Sequence, residues 1–369
     1  MGKQAKAVLC RELNQGVVVE EITVDSPQRH EVMIKIAACG VCHSDLSATN
    51  GTLAFPLPVV LGHEASGVVV EVGEGVSEYR VGDHVVSSFV SMCGKCRYCQ
   101  SGRPQLCDQA AKAGFTLPDG SVRTSDAAGK PLNVFSGCGV MAEYATLHVD
   151  NVVKIAADMP LDRAALISCG VMTGVGAATN TARVEAGSAT VVFGCGGVGL
   201  NAIQGCAIAG AAVIVAVDTT DAKLEMARQF GATHTVNAKN EENLVKTVRK
   251  LTGGGADYAF ECIGLGEVVA QAYGVLRKGG TAVVVGVAPG KDMTSIRTAS
   301  LTFEEKTLTG SYFGSARPRQ DFPRLIALYQ AKKLKLDELI TRRYGIDEAA
   351  QAFADMVAGK NARGVIVFD

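Results

Sequence analysis

The stretch Ala189-Thr190-Val191-Val192-Phe193-Gly194-Cys195-Gly196-Gly197-Val198-Gly199 reads as a buried strand that runs into a glycine turn and opens a helix. A second apolar run, Ala212 to Val217, ends in Asp218, 19 residues beyond Gly199. A G-x-G-x-x-G spacing in that setting is the fingerprint of a dinucleotide site. Gly194 permits the tight turn, Gly196 lets the backbone approach a pyrophosphate, and Gly199 lets helix and strand pack closely. Gly197 and Val198 complete the loop, and the helix start offers unpaired N–H groups to phosphate. A carboxylate at Asp218 can accept both ribose hydroxyls and would repel a 2′-phosphate. Thr219 and Thr220 supply no arginine to offset that repulsion, so NAD is expected over NADP.

The alternation continues outward from this unit. Asp221 is positioned to cap the helix AKLEMARQF, which stops at Gly231. Ala256 to Phe260 predicts a third strand, followed by a helix to Leu276 and a fourth strand from Thr281 to Val285. This texture is that of an α/β, doubly wound parallel sheet. The residues before it differ. Over 6–90, KAVLC, EVMIKIAA, SGVVVEVG and GDHVVSSFV are strand candidates separated by turn signals, which suits a small antiparallel barrel or sandwich. Residues 110–137 are polar and Gly-rich and read as a surface excursion. The tail predicts helices near 320–333 and 347–358, then an apolar run from Val365 to Phe368.

Between these regions stand Cys93, Cys96, Cys99 and Cys107, spaced C-x2-C-x2-C-x7-C. Thiolates that close can surround one tetrahedral zinc ion, and four of them leave no position for a substrate. The chain carries twelve cysteines, and its start, MGKQAKAVLC, lacks the apolar core of a signal peptide. A reducing, cytoplasmic setting is expected, with thiols used for metal rather than disulfides. The net charge of −1 comes without a basic block, which argues against nucleic acid as a partner. The most apolar run, Ala207 to Val217, is too short to span a bilayer, so no membrane is expected.

A further set is scattered: Cys42, His63 and Cys169, separated by 21 and 106 residues. Two thiols and an imidazole would make a three-ligand zinc site with its fourth position open. Spacing alone does not define such a site. Taken together and in order, GVCHSD, GHE, the four-cysteine loop, CGVMTG and GCGGVG resemble the zinc-dependent alcohol dehydrogenases of the medium-chain superfamily. The resemblance runs nearly end to end. It implies a GroES-like, β-rich catalytic domain from residues 1–170 and 313–369, with a Rossmann NAD-binding domain, 171–312, inserted between them.

The resemblance assigns Cys42, His63 and Cys169 to a catalytic zinc, and Cys93, Cys96, Cys99 and Cys107 to a structural one, two Zn²⁺ per chain. It implies that Ser44 takes the substrate proton, that Asp45 orients His63, and that Glu64 lies behind the metal and visits it during ligand exchange. His43, Thr173, Val198, Lys223 and Arg363 match cofactor contacts; Leu53 and Phe89 match the alcohol pocket. The substrate implied is a small primary, aromatic or allylic alcohol. The partner implied is a second copy, a homodimer formed through the stretch 281–287 or 301–312. One position departs from the pattern. Ser47 stands where many members carry a proton-relaying histidine, so release should run through the cofactor ribose and water. The length of the 110–137 segment resembles glutathione-dependent formaldehyde dehydrogenases, but Leu53 and Ala111 bring no charge to hold glutathione. A polyol dehydrogenase would be expected to replace a cysteine ligand with a carboxylate, and a non-catalytic NAD(H)-binding relative to lack zinc ligands.

Overall fold

The computed structural model describes residues 2–112 and 114–369, with the side chains of 111 and 112 outside the description. The chain divides into two compact units. One comprises residues 2–169, 317–331 and 336–369; the other comprises 170–316 and 332–335.

The second unit is built on six parallel strands: β1 (Ala189–Phe193), β2 (Val213–Asp218), β3 (His234–Asn237), β4 (Ala256–Glu261), β5 (Leu276–Val284) and β6 (Thr307–Gly310). Their order is β3-β2-β1-β4-β5-β6, which places a topological switch between β1 and β4. Strands β1, β2, β4 and β5 and the helices between them sit near where the pattern put them, with local corrections, while β3 and β6 are not marked by it. Asp221 is the first residue of the helix Asp221–Gln229, and Thr220 occupies the cap position in extended conformation. Leu276 opens β5 instead of ending a helix. The stretch 281–287 is no sheet edge, because β5 pairs with β4 on one side and β6 on the other. Within 301–312 only β6 is a strand, and residues Thr298–Phe303 are helical.

The first unit carries two sheets. In one, Lys3–Cys10 lies between Val18–Val24 and Val59–Val60, and in the other Glu31–Gly40 is the central strand. Arg363–Val367 pairs antiparallel with that central strand, so residues far apart in sequence close one sheet. Valines and isoleucines on the inner faces, among them Val8, Val32, Ile34, Ile36, Val69 and Val85, form the core.

The 110–137 segment is more than a surface excursion. Thr124–Ser125 and Asn133–Val134 add to the first sheet, and Leu117, Leu132 and Phe135 are buried. Arg123 is also buried, and its Nε and Nη2 donate to both carboxylate oxygens of Glu31 at 2.9 and 2.7 Å. Gly and polar residues here form turns around a charged anchor, which composition cannot distinguish from a solvated loop. No helix among the described residues is long and apolar enough to cross a membrane.

Candidate metal centre and dinucleotide loop

Cys42 sits at the start of the short helix His43–Thr49, directly after the central strand. His63 and Glu64 precede the strand Ala65–Val72, and Cys169 lies in the π-helical turn Ile167–Val171. These elements bring the donor atoms of Cys42, His63, Glu64 and Cys169 within 4.8 Å of one another. His63 Nε2 is 3.3 Å from Cys169 Sγ. On the far side of the ring, Nδ1 faces the two oxygens of buried Asp45 at 3.4 and 3.3 Å. That contact fixes the tautomer and aims Nε2 at the cysteines, the usual support for a metal-bound imidazole. Asp45 is held in turn by the Gly62 N–H at 2.9 Å. Gly62 has φ +93°, and a Cβ there would strike the Met141 backbone.

Glu64 is fully buried. Its Oε2 accepts from Arg363 Nη2 at 2.5 Å, and its Oε1 has no hydrogen-bond partner among the described residues. A Cβ on Gly40 would meet the Glu64 carboxyl at 2.8 Å and the Arg363 guanidinium at 3.0 Å, so the ion pair requires glycine there. An orphaned carboxylate oxygen among two thiols and an imidazole is costly without a cation, so the residues fit a zinc ion. The electrostatics agree. Hydrogen bonding to the Cys169 thiol, with His63 adding to it, holds the Cys42 thiol well below its ordinary range despite burial. Burial pushes the Glu64 carboxyl up to about 7 against the pull of Arg363.

The four-cysteine loop is ordered around its own centre. Cys93 and Cys99 sulfurs are 4.0 Å apart, and those of Cys96 and Cys107 are 3.9 Å apart. A tetrahedron with metal–sulfur bonds of ~2.3 Å has edges of ~3.8 Å, so these separations fit zinc and exclude disulfides. The Cys99 N–H donates to Cys96 Sγ at 3.4 Å. This bond, with a second from the backbone of Asp108, lowers the Cys96 thiol to about 6.

In the second unit the glycine loop joins β1 to the helix Gly197–Ile208. Gly194 has φ +89°, and a Cβ on Gly199 would collide with Gly194 O. A Cβ on Gly196 would meet nothing within 4 Å, which leaves open space where a pyrophosphate would lie. Asp218 is already engaged. Its Oδ2 accepts from the Cys195 N–H at 2.8 Å, and its Oδ1 from Thr219 and Thr220 at 2.7 and 3.0 Å. The carboxylate is thereby oriented and keeps lone pairs for ribose. A Cβ on Gly174 would collide with Val198 O, so the helix Met172–Gly176, which carries Thr173, packs on the first turns of the helix that follows the loop. Lys223 lies half-buried on Asp221–Gln229.

His43 and Arg363 belong to the first unit, and the Arg363 side chain is committed to Glu64. Leu53 is held by its N–H to Ser47 O at 2.9 Å. The Phe89 ring stands edge-on to His63 with centroids 5.6 Å apart. Sequence reasoning missed Phe135, whose ring is 5.3 Å from His63, and Phe55, 4.6 Å from Phe135. Phe135 falls in the segment taken for an excursion, so nothing in its surroundings marked it. The side chain of Ala111 lies outside the described residues.

Residues 28–157 match the alcohol dehydrogenase GroES-like domain, and residues 197–331 match the zinc-binding dehydrogenase domain. The chain is 42% identical over 368 residues to the NDMA-dependent alcohol dehydrogenase of Amycolatopsis methanolica, covering 99% of each. It is 38% identical to the S-(hydroxymethyl)glutathione dehydrogenase of Paracoccus denitrificans, covering 99% of this chain and 100% of that one. The crystal structure of benzyl alcohol dehydrogenase from Acinetobacter calcoaceticus superposes with a TM-score of 0.94 at 33% identity, covering 100% of both chains. The chain belongs to the zinc-dependent alcohol dehydrogenases of the medium-chain superfamily. It is an oxidoreductase acting on alcohols, with zinc and a nicotinamide cofactor.

Proposed function

We propose that the chain reversibly oxidises primary, aromatic or allylic alcohols to aldehydes, and secondary alcohols to ketones, with NAD⁺ as hydride acceptor. The observation that carries this reading is the convergence of Cys42, His63 and Cys169, with the Ser44 hydroxyl 3.7 Å from Cys42 Sγ. Three protein ligands leave one position for the alcohol oxygen. A zinc ion held there supplies Lewis acidity that lowers the alcohol pKa, and a nicotinamide supplies the hydride acceptor. Ser44 accepts the hydroxyl proton and passes it toward solvent. Ser47, one turn further along the same helix, offers a hydroxyl where an imidazole would buffer the proton, so water takes it up. Asp45 keeps His63 aimed, and Glu64 Oε1 is the reserve ligand during exchange at the open position. Phe89, Phe135 and Phe55 favour a flat or unsaturated substrate.

Cys93, Cys96, Cys99 and Cys107 hold the second zinc. Asp218 selects NAD over NADP, while His43, Thr173, Lys223 and the remaining guanidinium nitrogens of Arg363 contact the cofactor. The chain pairs as a homodimer through the free edge of β6 and works in the reducing cytoplasm, where its twelve free cysteines persist.

The test is an alcohol panel with NAD⁺, NADP⁺ and NDMA as acceptors, together with metal analysis. NDMA is included because the Amycolatopsis relative is named for dependence on it. Two zinc ions per chain and turnover of benzyl alcohol are expected; no turnover with any acceptor sinks the reading. The Paracoccus relative favours a second reading, oxidation of the formaldehyde–glutathione adduct, scored in the same panel.

Two variants probe the cofactor side. Asp218→Ala should lower kcat/KM for NAD⁺ by roughly 10–100-fold, the worth of charge-assisted hydrogen bonds of about 1.5–3 kcal/mol, while NADP⁺ gains. Gly196→Ala should melt like the parent yet bind NADH on the order of tenfold more weakly in a fluorescence titration, because its methyl intrudes only on the pyrophosphate.

A further inference from the structure

His63 and Cys169 reach the same point from positions 106 residues apart, and both are buried. Their side chains need a backbone held rigidly behind them. Two serines lie there. Ser168, fully buried, immediately precedes Cys169, and Ser87, equally enclosed, ends the strand His84–Ser87. The two hydroxyls are 3.1 Å apart. Ser168 Oγ donates to Ser87 O at 2.7 Å and stands 3.2 Å from His63 O. Ser87 Oγ accepts from the Ala65 N–H at 3.0 Å and lies 3.4 Å from the same His63 carbonyl.

Each hydroxyl has one proton and two acceptor sites, so the pair forms a closed network. The Ser168 proton goes to Ser87 O. The Ser87 proton goes to Ser168 Oγ or turns to a carbonyl, and Ala65 supplies the N–H. This network stitches three separate segments: the strand end at 87, the turn at 63–65, and the residue beside Cys169. Among the described residues, its hydroxyls touch none of the metal donor atoms. They act on the main chain of one ligand and on the neighbour of another.

We propose that the Ser87–Ser168 hydroxyl pair is a positioning device for the metal centre, fixing the backbone so that His63 Nε2 and Cys169 Sγ converge at tetrahedral spacing. The inference rests on the zinc reading of Cys42, His63 and Cys169. Outer-shell partners of this kind tune affinity as well as geometry. Both hydroxyls serve one network, so losing either should break it, and losing both should cost no more than losing one.

The experiment uses the full chain with both metals bound. Ser87→Ala, Ser168→Ala and the double variant are compared with Ser91→Ala, which removes another buried hydroxyl of the same unit, bonded to Asn151 at 2.5 Å. Zinc transfer to a chromophoric chelator and the absorption of cobalt exchanged into the catalytic site are measured. One of the two zinc ions should leave on the order of tenfold faster in either single variant and in the double variant. The zinc of the four-cysteine loop should serve as an unchanged internal control. The cobalt–thiolate and d–d bands should shift in the same variants and not in Ser91→Ala. Parental release and parental cobalt spectra in Ser87→Ala overturn the proposal, even if Ser168→Ala does not fold. Equal acceleration of both zincs, shared by Ser91→Ala, also overturns it. A parent chain with fewer than two zinc ions overturns the zinc reading instead, so the two failures are distinguishable.

Discussion

Cys42→Ala is expected to purify folded, with one zinc per chain in place of two, and to oxidise alcohol on the order of 10³-fold more slowly than the parent. The magnitude follows from losing Lewis-acid stabilisation of several kcal/mol, each ~1.4 kcal/mol being tenfold. The fold should survive, because Cys42 is a half-buried residue at a helix start and is not part of the hydrophobic core. His63 and Cys169 alone cannot hold the ion in the open geometry that the alcohol needs. Metal analysis and initial rates on the same preparation check the prediction. A variant with two zinc ions and parental rate would remove Cys42 from the ligand set. Cys107→Ser is the complementary control. It should shed the other zinc and lower the melting temperature while affecting the chemistry only through stability.

The second large effect concerns stability. Arg123→Met should destabilise the chain by about 3–5 kcal/mol, because it leaves the Glu31 carboxylate buried without its cation. In the parent, Glu31 otherwise receives only the Gln28 N–H, at 2.9 Å, among the described hydrogen bonds. The Arg123 Nη1 donors to Ser121 Oγ and Val122 O are lost as well. A fall in melting temperature of roughly 10 °C is expected for a unit of this size. Replacing both partners, Glu31→Leu with Arg123→Met, should recover most of it, since an apolar pair of similar volume avoids the desolvation cost. Thermal unfolding of the three variants decides the matter. An unchanged melting temperature in Arg123→Met would show that the 110–137 segment is not anchored through this pair.

The nucleotide-binding unit was largely legible in the sequence because its information is local. A glycine loop, an acidic residue after the next strand and helices of ordinary length each announce themselves within a short window. Short or charged strands did not. Val18–Val24, His234–Asn237, Thr307–Gly310 and Ile340–Tyr344 carry too few apolar residues, or too many acidic or basic ones, for alternation to show. The approach of Cys42, His63 and Cys169 was legible only through a set of motifs in order, since nothing between positions 63 and 169 marks it, whereas the four-cysteine spacing was local. Ser87 and Ser168 were invisible for the same reason. A buried hydroxyl is recognised by what it touches, and both partners are supplied by other segments. The 110–137 stretch failed differently. Its polar composition matched a solvated loop, whereas one arginine turns it inward.

The pairing of Arg363–Val367 with the central strand Glu31–Gly40 has a consequence for synthesis on the ribosome. Residues 170–316 make up nearly all of the nucleotide-binding unit, which residues 332–335 complete, so that unit can fold before the end of the chain has emerged. The catalytic unit cannot, because its sheet lacks an inner strand, and Glu64 lacks its counter-charge, until residue 363 has been made. During that interval Cys42, His63 and Cys169 are already present, but Glu64 lacks the guanidinium that holds it. Metal acquired then would meet a centre with an extra unpaired carboxylate. If Cys42, His63 and Cys169 hold zinc as proposed, loading in the productive geometry is expected to wait for the strand Arg363–Val367.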